Sequence, residues 1–205
     1  LHASNRASRV VSGDLYSAVL RGDPAEVAFM VIDVAGKGVA ASLLTASLEA
    51  LCAGPIEAGF TPHDTFDRVS SRLHKRTPPE KYATAFLGTL EPSTGRLRYA
   101  NVGHLPGIVL SRDGQPRWLA RTGLPLGLLP GNTYTPAEVG LDAGDLLVLY
   151  TDGYTEAEGP GGEEYGQDRF LATCTGLRSR TLPTFAASLD AALEAFTGGA
   201  ALSDD

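Results

Sequence analysis

Three aspartates stand where apolar runs meet glycine. Asp152 follows Leu146-Leu147-Val148-Leu149 and opens the turn Asp152-Gly153. Asp33 ends Ala28-Phe29-Met30-Val31-Ile32 and precedes Gly36-Lys37-Gly38, while Asp14 follows Gly13. A fourth acidic site, Asp204-Asp205, closes the sequence. A buried strand that ends at a glycine lets the backbone bend away and leaves the carboxylate oxygens exposed. Such carboxylates are costly unless a cation or a basic group compensates them. Short carboxylates suit hard divalent ions such as Mg2+ or Mn2+ without help from cysteine or histidine. Two such ions held a few Å apart can lower the pKa of a shared water and clamp a phosphoryl group for in-line attack. Taken singly, an aspartate before glycine is as readily a plain turn former. Three at strand ends favour metal.

The elements that must position these residues follow from periodicity. Strands are predicted over 10–20 and 27–34, separated by the turn Arg21-Gly22-Asp23-Pro24. Val39, Leu43, Leu44, Leu48, Leu51 and Cys52 then recur at helical spacing just after Gly38. A second helix starts at Thr61-Pro62, where the hydroxyl can cap and proline fits the first turn. It carries Phe66, Val69 and Leu73 and is ended by Pro78-Pro79. Strands over 82–90 and 97–102 make a hairpin through 91–95, and strands over 107–110 and 117–119 make another around Asp113-Gly114. Leu124-Pro125-Leu126-Gly127 reads as a rigid crossing, followed by strands near 134–141 and 146–150. The glycine-rich, acidic stretch 156–166 reads as a mobile flap beside Asp152. Two helices close the chain, the longer with Leu182, Phe185, Leu189, Leu193 and Phe196 on one face. Helix pairs at both ends of a strand-rich middle predict an α+β fold. It is a layered αββα sandwich of two mostly antiparallel sheets flanked by helix pairs.

The totals narrow the function. At 205 residues, 43% hydrophobic and 20% charged, the chain suits one ordered domain spanning 1–205. A formal net charge of −7 argues against a nucleic-acid backbone or an anionic membrane as the main partner. No uninterrupted apolar run reaches the roughly 20 residues that cross a bilayer, and no basic-then-apolar leader is present. A cytoplasmic protein is predicted. Cys52 and Cys174 read as core thiols, and Phe66, Phe86 and Trp118 as packing residues. His63 and His74 read as surface positions on the second helix. Leu1 and Asp205 as chain ends suggest a piece of a longer protein.

Six motifs then occur in one order. They are Ser12-Gly13-Asp14-Leu15-Tyr16, Asp33-Val34-Ala35-Gly36-Lys37-Gly38, Asn101-Val102-Gly103-His104, Pro125-Leu126-Gly127, Gly144-Asp145 and Tyr150-Thr151-Asp152-Gly153-Tyr154-Thr155-Glu156. In order and spacing they resemble the SpoIIE/RsbU-type branch of the metal-dependent PPM (type 2C-like) serine/threonine protein phosphatases. Ser203-Asp204-Asp205 looks like the start of that family's last motif.

The resemblance implies a β-sandwich with two Mn2+ or Mg2+ ions at one edge. By position, Asp14 bridges both ions, Asp33 and the Val34 carbonyl bind one, and Asp152 and Asp204 hold the other, with Asp205 the lesser candidate. Asp14, Asp33 and Asp152 are thereby the catalytic carboxylates. The implied substrate is phosphoserine or phosphothreonine on a small STAS-domain anti-anti-sigma factor, whose dephosphorylation frees a sigma factor by partner switching. The two helices after Asp33 are implied to relay a signal, with the surface around 43–52 and 66–73 docking a second copy or a neighbouring sensory domain. The main alternative is a PPM-fold module of little or no activity that binds a STAS or anti-sigma kinase partner.

This chain departs from the family in three places. Lys37 stands where histidine is common and is a candidate for holding substrate phosphate near a helix start. Val102 replaces a usual alanine, and His104 beside it reads as structural rather than catalytic. The family continues into a further strand beyond Asp205, so the domain is expected to lack its last strand. Arg6 and Arg9 lie upstream of Asp14 and read as solvated.

Overall fold

The computed structural model describes residues 1–5, 12–36, 38–75, 77, 81–112 and 115–199. The chain opens with β1 (Asp14–Arg21) and β2 (Glu26–Val34), then α1 (Val39–Glu57) and α2 (Pro62–His74). Six strands follow: β3 (Ala83–Glu91), β4 (Arg96–Val102), β5 (Gly107–Leu110), β6 (Pro116–Leu119), β7 (Ala137–Gly140) and β8 (Leu146–Val148). It closes with α3 (Asp152–Thr155), α4 (Gln167–Leu177) and α5 (Leu182–Thr197). The strands form a five-stranded sheet ordered β1-β2-β3-β4-β7 and a three-stranded sheet ordered β6-β5-β8. All of their ladders are antiparallel.

Side-chain alternation along the strands sorts the interior into three cores. On β2, Ala28, Met30, Ile32 and Val34 are buried in a cluster with Leu48 and Cys52 of α1 and Phe66, Val69 and Leu73 of α2. Phe86, Leu97 and Tyr99 of the large sheet meet Val109 and Leu119 of the small one, with Phe86 and Tyr99 stacked at 5.3 Å. On its outer face the small sheet buries Ile108, Leu110 and Val148 against Phe170, Cys174, Phe185, Leu189 and Leu193. Three cores separate four layers: helices, sheet, sheet, helices. The predicted αββα sandwich is the observed architecture. Both thiols are buried, and burial pushes each up to about 12, which leaves them unreactive at neutral pH.

Several local expectations change. Trp118 sits on the edge strand β6 and is exposed rather than packed. The strand near 134–141 shortens to Ala137–Gly140, since Tyr134 turns inward to meet the Phe66 ring edge-on at 6.2 Å. The stretch 156–166 is a small hairpin, not a loose flap. A Glu158–Glu164 bridge closes it, and buried Ala157 and Tyr165 anchor it against Phe196. Leu48, Cys52, Phe66, Val69 and Leu73 are all in the core, so the anticipated docking surface over 43–52 and 66–73 loses most of its members.

What remains outside is the far side of α1, where Val39 and Leu43 are 67% and 66% exposed. By length and composition α1 could cross a bilayer, which reading uninterrupted runs overlooked because Ser42, Thr45, Ser47 and Glu49 break them up. Its Ala41, Thr45, Leu48, Cys52 and Ile56 face is committed to the protein core.

Candidate metal centre

The β1–β2 register sets Asp14 directly opposite Asp33. Residues so paired on antiparallel strands point to the same face, with Cβ atoms roughly 4.5–5.5 Å apart. Like charges in that position repel, and a divalent cation shared between them turns the repulsion into attraction.

Helix α1 fixes the turn that carries Asp14. The Thr45 hydroxyl donates to the Gly13 carbonyl at 2.6 Å, and the Ser42 hydroxyl donates to the Ser12 carbonyl at 2.8 Å. The Asp14 N–H in turn donates to Ser12 Oγ at 2.9 Å. Gly13 lies close to α1 and to the loop after β2: a Cβ there would make ordinary contacts, at 3.5 Å, with Ala41 Cβ and with the carbonyl oxygens of Val34 and Gly36. The Val34 carbonyl therefore lies beside the Asp14 turn, where the resemblance puts a backbone ligand. Gly36 and Gly38, at φ of 108° and 79°, allow the chain to swing from β2 into α1.

Behind Asp33 stand two residues that the sequence reading did not weigh together. Thr84, the β3 partner of Asp33, holds its hydroxyl 3.5 Å from Asp33 Oδ2 and 3.0 Å from His104 Nδ1. His104 is 1% exposed. Burial pushes its pKa down to about 4, against an opposing pull from the Tyr150 backbone, so the imidazole is neutral at pH 7. A polar residue inside the apolar run 82–90 was the available signal for Thr84. Lys81 gave no signal. Its Nζ lies 3.4 Å from where a Cβ on Gly36 would be, which puts an ammonium group beside the loop after Asp33.

Asp152 belongs to the other sheet. Ile108 pairs with Val148, so the chain beyond β8 runs past the start of β5 toward the Gly103–His104 corner. That corner adjoins Ala85, one residue from Thr84. Asp152 then opens the one-turn α3 instead of ending a strand. The ring of Tyr150 packs tilted against Phe170 at 4.2 Å, and the Tyr154 hydroxyl donates to Asp190 of α5. These contacts lock the Asp152 turn onto the closing helices.

The structure thus pairs Asp14 with Asp33 and carries Asp152 to the same edge of the sandwich from the opposing sheet. Among the described residues, no group of three or more His, Cys, Asp or Glu is gathered closely enough to hold a metal. Asp204, Asp205, Lys37, Arg6 and Arg9 lie outside the described residues. An all-oxygen donor set built on two opposed carboxylates suits Mg2+ or Mn2+ rather than zinc.

The family model described as Stage II sporulation protein E (SpoIIE) matches residues 23–205. The chain belongs to the SpoIIE family. It is 31% identical to Protein IcfG of Synechocystis, over 85% of this chain and 32% of that protein. It is 27% identical to the phosphoserine phosphatase RsbU of Bacillus subtilis, over 73% of this chain and 44% of that one. The chain therefore spans less than half the length of these SpoIIE-family relatives. Among solved structures, the RsbU and RsbW domains of a Mycobacterium tuberculosis protein superpose with a TM-score of 0.81 at 28% identity, covering 96% of this chain and 54% of that one. The catalytic domain of the serine/threonine phosphatase PstP, solved with two manganese ions, shares the fold at a TM-score of 0.65 and 15% identity. That match covers 93% of this chain and 88% of PstP.

Proposed function

We propose that this chain is the phosphatase domain of a longer cytoplasmic protein and hydrolyses phosphoserine or phosphothreonine on a STAS-domain anti-anti-sigma factor. The observation that carries the reading is the Asp14–Asp33 pair, set face to face in a SpoIIE-family fold. Two divalent cations, Mn2+ or Mg2+, would be held by Asp14, Asp33, the Val34 carbonyl, Asp152 and Asp204, and would supply an acidified water and charge stabilisation at phosphorus. The rest falls to the protein. Thr45 and Ser42 hold the Asp14 turn, Thr84 backs Asp33, and the helical contacts of Tyr150 and Tyr154 set the Asp152 turn. Lys81, beside Gly36, is a second candidate, with Lys37, for meeting an incoming phosphate.

Turnover of a phosphorylated STAS-domain protein tests this directly. Release of phosphate is expected with Mn2+, and it should stop with chelator and with Asp152→Asn. Lys81→Ala should raise KM by about tenfold, the equivalent of one charge-assisted contact. Turnover that survives both chelator and Asp152→Asn would remove the reading. Tight binding of the STAS protein without turnover at any metal concentration would favour the inactive regulatory module.

The exposed Val39–Leu43 face of α1 is assigned to a neighbouring domain of the longer protein. An apolar patch beside the Ser42 and Thr45 contacts could pass docking on to the Asp14 turn. Sedimentation of this chain should then give a monomer. A concentration-dependent dimer that Leu43→Glu abolishes would give the face to a second copy instead.

A further inference from the structure

We infer that Thr84 and His104 are positioning residues for Asp33: His104 donates its Nδ1–H to Thr84, and Thr84 passes its own hydroxyl proton to the carboxylate. This assignment rests on the metal-phosphatase reading and deepens it by naming what orients one of its ligands.

Hydrogen-bond inventory fixes the direction of the relay. The Thr84 hydroxyl has one proton, and it lies 3.5 Å from Asp33 Oδ2 and 3.0 Å from His104 Nδ1. An ionised carboxylate can only accept, so the Thr84 proton goes to Asp33 and the ring must supply the other. His104 Nε2 is buried with no partner of hydrogen-bond geometry among the described residues, so the ring proton is better placed on Nδ1, 3.0 Å from Thr84, even with the Tyr150 backbone also pulling on the ring. At 3.5 Å the contact to Asp33 is long, so it orients the carboxylate more than it neutralises charge.

The backbone around His104 is built to aim the ring inward, which accounts for the Asn101-Val102-Gly103-His104 motif. Asn101 Nδ2 donates to the carbonyls of Leu105 at 3.1 Å and Leu119 at 3.4 Å, pinning the corner from inside. Gly103 has φ 76°, and a Cβ there would stand 2.5 Å from Pro125 Cγ. Arg121 Nε donates to the His104 carbonyl at 3.1 Å and holds it from outside. An imidazole buried in this way is costly unless it makes a specific hydrogen bond, and Thr84 receives that bond. Ligand-orienting partners of this kind typically govern metal affinity by about 10–100-fold.

The test combines Mn2+ titration calorimetry with 15N NMR of the His104 tautomer in the metal-free protein. In the wild type the Nδ1–H tautomer is expected. Thr84→Val, which keeps the shape and removes the hydroxyl, and His104→Leu should each weaken Mn2+ binding by about 10–100-fold. Thr84→Ser and His104→Asn, whose amide can donate near the Nδ1 position, should recover most of it. Metal-free melting temperatures separate this from a packing role. A Thr84→Val protein that melts lower yet binds Mn2+ within about twofold of wild type overturns the assignment, given the size of effect such partners have. So does an Nε2–H tautomer. If His104→Leu does not fold, Thr84→Val and His104→Asn still decide. A wild type that binds no Mn2+ removes the metal reading and this assignment together. Binding by the wild type with an unchanged Thr84→Val removes the assignment alone.

Discussion

Asp33→Asn should lose more than about 100-fold in Mn2+ affinity, beyond the range of residues that only orient a ligand, because Asp33 faces Asp14 across the β1–β2 ladder and a divalent ion held between them draws on both charges. Asparagine keeps the size of the side chain and an oxygen able to accept from Thr84, so shape is not the variable. Binding linkage magnifies the contrast. At a Mn2+ concentration 100 times the wild-type Kd, the ion stabilises the fold by about 2.7 kcal/mol. A 100-fold weaker site would retain only about 0.4 kcal/mol of this. Thermal melts with and without Mn2+ should therefore diverge in the wild type and nearly coincide in Asp33→Asn. An Asp33→Asn protein that melts lower without metal and keeps its Mn2+ shift would mean that Asp33 is a structural turn residue.

Arg21→Met should destabilise the protein by about 2–4 kcal/mol, chiefly by leaving the Ile56 and Phe60 carbonyls without their charged donor. The Arg21 side chain is 6% exposed at the end of β1 and reaches across to the end of α1. Its Nη1 donates to the Ile56 and Phe60 carbonyls, while Nη2 meets Thr89 Oγ1 at 3.2 Å and Glu26 at 3.4 Å. Helix α1 has no basic residue in its own last turn, so Arg21 supplies from the sheet the positive charge that a helix C-terminus favours. Glu26 keeps Arg98 as a second partner, which spares it from being stranded. For a chain of this size the loss corresponds to a fall of roughly 4–16 °C in Tm. Arg96→Ala is the control. Its pair with Glu91 is shorter, at 2.8 Å, but Arg96 is 48% exposed, and surface pairs contribute at most about 1 kcal/mol. If Arg96→Ala proved the more damaging of the two, distance rather than burial would rank these interactions.

Much of the fold was legible because local rules sufficed. Thr61 accepts from the Asp64 N–H and Pro62 occupies the first turn of α2, as capping chemistry requires. The β3–β4 hairpin turns where Gly95 was expected to turn it. That glycine has φ 70°, and a Cβ there would stand 2.1 Å from the Leu141 carbonyl oxygen. The placement of Asp33 near a strand end was equally visible, since it closes a continuous apolar run, whereas Asp14, expected within a strand over 10–20, opens β1. These are properties of a few consecutive residues, and no distant partner can change them.

Other features depended on what each element met in space. Periodicity placed Val39, Leu43, Leu48 and Cys52 together on α1, yet only Leu48 and Cys52 entered the core. Apolar residues run all round the helix among Ser42, Thr45, Ser47 and Glu49, so its sequence contains little preference that could choose a face. Trp118 faces outward and His104 inward, against hydropathy in both cases. The restrained Gly103 corner drives the imidazole toward Thr84. By itself the sequence determined that Asp33 closes a strand and which family's pattern the acidic motifs follow. Only the tertiary structure decided that Asp14 and Asp33 are opposite each other, with Thr84 and His104 behind them. Register and inter-sheet contacts join residues tens of positions apart, and no local periodicity encodes that distance.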